Sequence, residues 1–183
     1  MTPAPYAVDR LARVSWAGGH DAWAKPQRCP ARCGTLVAVE RLVRGTVEAD
    51  LPAVLALDAV ALDGNPVRRD MLRRHVTTSR ASVVEVDGEP CGFAVYDRSF
   101  FEHGFVQLLR VHPEHRRAGL GSLLLTDAAK RCETAKVFTS TSLSNAPMLA
   151  LLAHLDWSPS GMLHGLDRGD PEVFYFTSRP ITL

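Results

Sequence analysis

The chain has 183 residues, 46% of them hydrophobic, which is enough for one domain with a sizeable core and too few for two comfortable ones. Its 21 basic and 20 acidic residues leave a formal charge of +1, so no overall field gathers nucleic acid or a membrane surface, and any basic site must be local. Four cysteines at irregular positions, with nothing resembling a signal peptide or an apolar run of spanning length, suggest a reduced cytoplasmic protein.

The first 34 residues are rich in Pro, Gly, Ala and Arg and hold no sustained period of 2 or 3.6, so they are expected to form a poorly ordered arm. Trp16 and Trp23 in that arm are unusual for a solvated tail and suit docking on the domain or a partner. Cys29 and Cys33, with His20, are not followed by a second Cys pair at metal spacing, and no metal is expected.

From residue 35 to 183 the punctuation is that of one folded domain. "LVAVERLV" (36–43) has the β-branched content of a strand, and "ADLPAVLALDAVAL" follows as a helix, with Asp50 placed to cap it and Pro52 in its first turn. After "DGNP", "VRRDMLRRHVTTS" reads as a second, basic helix. "ASVVEVDGEPCGFAVYDRSF" gives two strands joined at Asp87-Gly88, which suits a type I′ turn. "HGFVQLLRV" is a strand, "LGSLLLTDAAKRC" a helix, "KVFTSTS" a strand and "NAPMLALLAHL" a helix. "WSPSGMLHGL" and "EVFYFTS" close the chain as strands. The order is βααβββαβαββ.

One junction in that order asks for a ligand. "RVHPEHRRAGLGSLLL" (110–125) joins a strand to a helix, and at a helix start the first N–H groups are unpaired and the dipole is positive. Gly119 and Gly121 let phosphate oxygens approach the backbone, and Arg116 and Arg117 add charge at the rim, so pyrophosphate is the natural guest. A nucleotide-triphosphate loop is excluded, because Ser122 and Leu123, not Lys and Ser/Thr, follow Gly121. A dinucleotide fingerprint fails at its third glycine, which is Leu124 here.

The remaining pattern, Arg116-x-x-Gly119-x-Gly121 between a strand ending "RVHP" and an amphipathic helix, resembles the acetyl-CoA loop of the GNAT N-acetyltransferase superfamily. The resemblance runs from Leu36 to about Ser178 and includes element order and the "SNAPMLALLAHLDW" segment. It implies an α/β (α+β) fold: a mixed, mostly antiparallel sheet of about seven strands flanked by about four helices, with the fourth and fifth strands splayed apart. It further implies that Leu109 and Val111 lie beside the pantetheine of acetyl-CoA, and that the loop Arg116, Arg117, Ala118, Gly119, Leu120, Gly121 and Ser122 holds the pyrophosphate. Asn145 would lie near the pantetheine arm. The implied activity is acetyl transfer from acetyl-CoA to a primary amine by direct attack in a ternary complex; a homodimer is consistent with the resemblance, and a nucleic-acid or membrane partner is not expected.

The sequence departs from the family at its usual catalytic positions. Leu152 stands where many members have a tyrosine acid, and Phe105 and Ser140 where several have a glutamate base. A non-catalytic acyl-CoA-binding module of the same fold is therefore the competing reading. For an enzyme, the thioester oxyanion can be served by the backbone amide of Leu109. The side-chain base candidates are His103, on the strand face of Phe105, and Glu102, with Glu85 behind them. Arg68, Arg69, Arg73, Arg74 and His75 read as a solvated helix face that could also select an acidic acceptor. Cys91 and Cys132 read as core thiols. Asp167, Asp170 and Tyr175, around the last turn, are placed to approach the acceptor.

Overall fold

Why the β-rich segments form one sheet is visible in their pairing. A computed structural model describes residues 39–178. These residues form β1 (Arg41–Gly45), α1 (Leu51–Leu57), α2 (Ala59–Leu62), α3 (Pro66–Thr77), β2 (Ala81–Val86), β3 (Glu89–Phe100) and β4 (His103–Val111). They continue with α4 (Leu120–Arg131), β5 (Lys136–Ser142), α5 (Ala146–His154), β6 (Ser158–Asp167) and β7 (Asp170–Ser178). The strands lie in the order β1-β2-β3-β4-β5-β7-β6. Every pairing is antiparallel except β4 with β5, which is parallel and limited to Gly104 to Val106 against Val137 to Thr139. Beyond Val106 the two strands part, as the resemblance implies.

An extra residue in β4 decides which of its side chains enter each of the two cores. Val95 pairs with Leu108 and Tyr96 with Val106, so Gln107 is a bulge that reverses the alternation of faces. Val106, Leu109 and Val111 all belong to the core under α4, with Leu120, Leu124, Leu125 and Ala128. Leu108 falls instead in the core beneath α1 and α3, with Val54, Leu72, Val76, Phe93 and Val95. One strand thus feeds apolar side chains to both sides, each burial worth roughly 2 kcal/mol.

The structure refines three expectations. The first strand begins at Arg41, because Glu40 is spent in a backbone exchange with Asp87, whose side chain also accepts from the Glu40 amide. The Asp87-Gly88 turn itself has φ of 52° and 84°, as a type I′ turn needs. The helix expected from Asp50 to Leu62 is two, because Asp58 takes an extended ψ of 109° and its carboxylate accepts from Ala61 to start α2. Asp50 does not cap α1: its carboxylate grips Arg44 through two bonds of 2.7 and 2.8 Å and accepts from the Val47 amide. The arm at 1–34, with Trp16, Trp23, His20, Cys29 and Cys33, lies outside the described residues. Among the described residues no helix is long and apolar enough to cross a membrane, and no cluster of His, Cys, Asp or Glu could hold a metal.

Candidate active site

The turn before α4 is set by backbone conformations that few residue types accept. Pro113–His115 form a short 3-10 turn after β4, Arg117 has a φ of 61° and Gly119, the N-cap, a φ of 82°. Only glycine takes the last without strain. The first bond inside the helix runs from the Leu123 amide to the Gly119 carbonyl at 3.2 Å. The amides of Leu120, Gly121 and Ser122 therefore have no partner within the helix and point out of its N-terminus, where the dipole adds positive potential. Two arginines brace the loop: Arg116 Nε donates to the Val111 carbonyl at 3.2 Å, and Arg41 of β1 donates to the Ala118 carbonyl at 2.9 Å. The role of Arg41 was not visible in the sequence, where 77 residues separate it from the carbonyl it holds.

Beside this loop lies the gap left by the parted strands. The His112 amide donates to the Cys91 carbonyl, so in the alternating antiparallel ladder the pairs Gly92–Val111 and Ala94–Leu109 are the non-bonded ones. The amides and carbonyls of Leu109 and Val111 then face away from β3, into the gap where β5 is missing. A cleft of about 1120 Å³ fills this space. Its walls bring together Leu109, Val111, Arg116, Arg117, Gly119, Leu120, Gly121, Ser122 and Asn145, nine of the residues singled out in the sequence. Ala118 is the exception, its carbonyl being taken by Arg41. A Cβ on Gly121 would stand 3.3 Å from Leu151 and 3.9 Å from Leu109, narrowing the seam between β4 and α5. Asn145 caps α5 by accepting from the Met148 amide at 3.4 Å, and its amide nitrogen donates to Thr141 at 3.0 Å.

The remaining candidates lie elsewhere. Glu102 and His103 sit at the turn into β4 and do not line the cleft; His103 stacks near Phe138 with ring centroids 5.7 Å apart. Glu85 is committed to Arg44. Leu152 is fully buried in the core under α4, and Pro147, Met148, Ala150, Leu151 and His154 are the α5 residues that line the cleft. Of the basic helix, Arg68 lies 3.8 Å from Asp58 and Arg69 donates to the Ala61 carbonyl, which fastens α3 to its neighbours, while Arg74 pairs with Asp70 within α3. Asp58 is wholly buried, with Arg110 of β4 also 3.5 Å away, which ties the α1–α2 break to the strand bearing Leu109. Asp170 accepts from the amide and hydroxyl of Ser144, Tyr175 packs into the core under α4, and Asp167 pairs with Asp170 in the turn. Cys91 and Cys132 are buried, and burial pushes the Cys91 thiol up, away from thiolate chemistry.

The same architecture recurs in known proteins. The Acetyltransferase (GNAT) family model matches residues 56–157. A GNAT-family acetyltransferase from Bacillus cereus is 31% identical, over 76% of this chain and 98% of that one, with a TM-score of 0.71. The yncA protein of Salmonella typhimurium, solved with its cofactor acetyl-CoA, is 22% identical over 75% of this chain and 93% of its own, with a TM-score of 0.60. Diaminobutyrate acetyltransferase from Paenibacillus lautus, in complex with L-2,4-diaminobutyric acid and coenzyme A, is 22% identical over 76% of this chain and 96% of its own, with a TM-score of 0.62.

Proposed function

Because the chain belongs to the GNAT acetyltransferase family and is an acyltransferase, we propose that it transfers the acetyl group of acetyl-CoA to a primary amine by direct attack in a ternary complex. The observation that carries this reading is the pairing of an open helix N-terminus at Gly119 to Ser122 with a strand edge at Leu109 and Val111 whose amides are unclaimed by β3. The pyrophosphate lies on the outward amides of the loop, with Arg116 and Arg117 at the rim. The pantetheine, an amide chain, runs along the freed edge of β4 toward Asn145 as a strand would. The thioester then reaches the gap near Leu109.

There the neutral amine attacks the thioester carbonyl carbon, and the C–N bond forms. The carbonyl oxygen takes up the negative charge opposite the Leu109 amide, the C–S bond breaks, and coenzyme A leaves as thiolate. The nitrogen's surplus proton goes to water, since Phe105 and Ser140 stand where the family's usual base would be. Loss of a proton from a free alkylamine at neutral pH is unfavourable, so turnover should rise with pH toward the pKa of the amine. In this reading the acetyltransferase domain is 35–183, the arm at 1–34 stands outside it, and the enzyme works in the cytoplasm.

Calorimetric titration with acetyl-CoA tests the first half of the reading, with Gly119→Glu as the matched variant. Micromolar binding abolished by the substitution is the expected result. Thiol release with an amine panel tests the second half. Absence of binding by the intact chain would overturn both, and binding without thiol release would leave an acyl-CoA receptor.

A further inference from the structure

The face of the sheet opposite the cofactor cleft is built from aromatic rings. Parallel and antiparallel pairing put Phe105 beside Phe138, Phe138 opposite Phe176 and Ser140 opposite Phe174, all on one face. Phe100 joins them from the end of β3. Its ring stands 5.0 Å from Phe105, 5.1 Å from Phe138 and 5.9 Å from Phe174, and the Phe138 and Phe176 rings are 5.7 Å apart. All five phenylalanines are half-buried. A core would have sealed such rings, yet α1 and α3 pack on β3. The rings are thus left half-exposed as an apolar patch, a bowl that meets a break in the sheet at one end.

That end is the gap between β4 and β5. Phe105 and Phe138 belong to the short stretch where the strands still pair, next to Val106 and Thr139, the last pair. Farther along the same face of β5 and β7, Ser142 stands opposite Glu172, with the serine hydroxyl 3.5 Å from the carboxylate. Counting along the parallel strands from Val106 and Thr139, Ser142 and Glu172 reach about the height of Leu109 across the gap. Going down this face from the level of Leu109, a molecule meets a half-buried carboxylate, then Ser140, then five rings.

We infer that the acceptor is an amine carrying an aryl group, with its ammonium on Glu172 and its ring in the bowl of Phe100, Phe105, Phe138, Phe174 and Phe176. This rests on the acetyl-transfer reading, because it is acetyl-CoA in the opposite cleft that leaves this face as the amine's approach. The ring faces supply stacking partners, and the carboxylate supplies the single charge that holds an alkylammonium. The order of features matches a short spacer: charge near the gap, rings one to two residue pairs below. Glu172 disfavours a dicarboxylic or polyanionic acceptor near the gap, and the cation over the rings, Lys136, stands at the far end, 5.6 Å from the centre of Phe176.

The test compares 2-phenylethylamine with n-butylamine in the full-length chain at saturating acetyl-CoA, with thiol release as readout. The aryl amine should have a kcat/KM higher by about tenfold or more. Phe138→Leu, which keeps apolar volume and removes the ring, should bring that ratio down severalfold. Glu172→Gln should raise KM for both amines and leave acetyl-CoA affinity unchanged. Saturation-transfer NMR of 2-phenylethylamine on the chain without cofactor reads ring contact independently of turnover, and the signal should be lost in Phe138→Leu. Acetyl-CoA failing to bind while ring contact persists would sink the transfer reading and keep the bowl. Equal kcat/KM for the two amines, or an unchanged ratio in a folded Phe138→Leu, would overturn the inference. So would a full-length dimer that Phe174→Ser dissociates, because a second copy would then occupy the face.

Discussion

The two sides of the gap between β4 and β5 are made of different material. On the α4 side, the candidate contacts are backbone: outward amides at a helix start, a positive-φ glycine, and strand amides freed by the parting of β5. On the other side they are side chains, five phenylalanines and a glutamate drawn from three strands and the end of a fourth segment of the sheet. The difference suits the two ligands. A universal donor with an invariant diphosphate can be held by peptide groups, which mutation cannot change in kind. Selecting one acceptor among many needs side-chain chemistry that can be replaced without disturbing the donor site.

If that division is right, the most damaging change on the backbone side is one that alters space or charge and not one that removes a side chain. Gly119→Glu should weaken acetyl-CoA binding by at least about 100-fold, from a carboxylate at the phosphate position and the cost of a left-handed φ. By contrast Arg116→Ala, at the exposed rim, should cost only about fivefold by the same calorimetry. Near-equal losses in the two variants would break the comparison.

Next in size is Gly92→Ala. The added Cβ would fall 2.7 Å from the Arg110 carbonyl, a backbone atom that cannot swing aside. It should cost about 3 kcal/mol by urea unfolding and loosen donor binding through the displaced β4.

A third change lies far from both faces and serves as a control. Arg44 donates to Asp50 and to Glu85, and its guanidinium holds the Asp50 carboxyl below the usual carboxylate range. Asp50→Asn should cost about 2 kcal/mol near neutrality with neither ligand's affinity changed. A depressed folded pKa gives stability that is present above the unfolded value, about 3.9, and is lost as pH falls through the folded one. The melting temperatures of wild type and Asp50→Asn should therefore converge as pH is lowered below about 4.

Smallest is Arg41→Ala, which removes the donor to the Ala118 carbonyl and should weaken acetyl-CoA by about threefold without changing the ratio between amines.

The same division explains what could be read in the sequence. Gly119, Gly121 and the arginines before them are contiguous, and their chemistry is a property of one loop, so an anion-binding corner was legible in the residues themselves, whereas Asn145, Leu109 and Val111 were reached only through the family resemblance. The order of elements along the chain followed from local punctuation such as Asp87-Gly88 and Asn65-Pro66, while the parting of β4 from β5 followed only from the resemblance. The aromatic bowl was not legible, because Phe100, Phe138 and Phe174 come together only through pairing across β3, β5 and β7, and each alone looks like ordinary strand filling. The break at Asp58 was missed for a related reason: its neighbours are all good helix formers, and the buried carboxylate is fixed by Arg68 and Arg110 from other elements.

The bulge at Gln107 gives β4 something like a reading frame. Upstream of it, Phe105 lies on the face of Phe138; downstream, Leu109 and Val111 lie on the α4 face. Drawing Gln107 into the regular ladder would slip every later position by one against β3, so that Arg110 would enter the apolar packing under α4 and Leu109 would face the other way; deleting it would keep Leu108 opposite Val95 and lose only the bulge and its hydrogen bond to Asp97. The alternation of faces in β4 thus depends on one residue held out of the ladder, and an insertion between Leu108 and Val111 should be far less tolerated than loss or substitution of Gln107 itself.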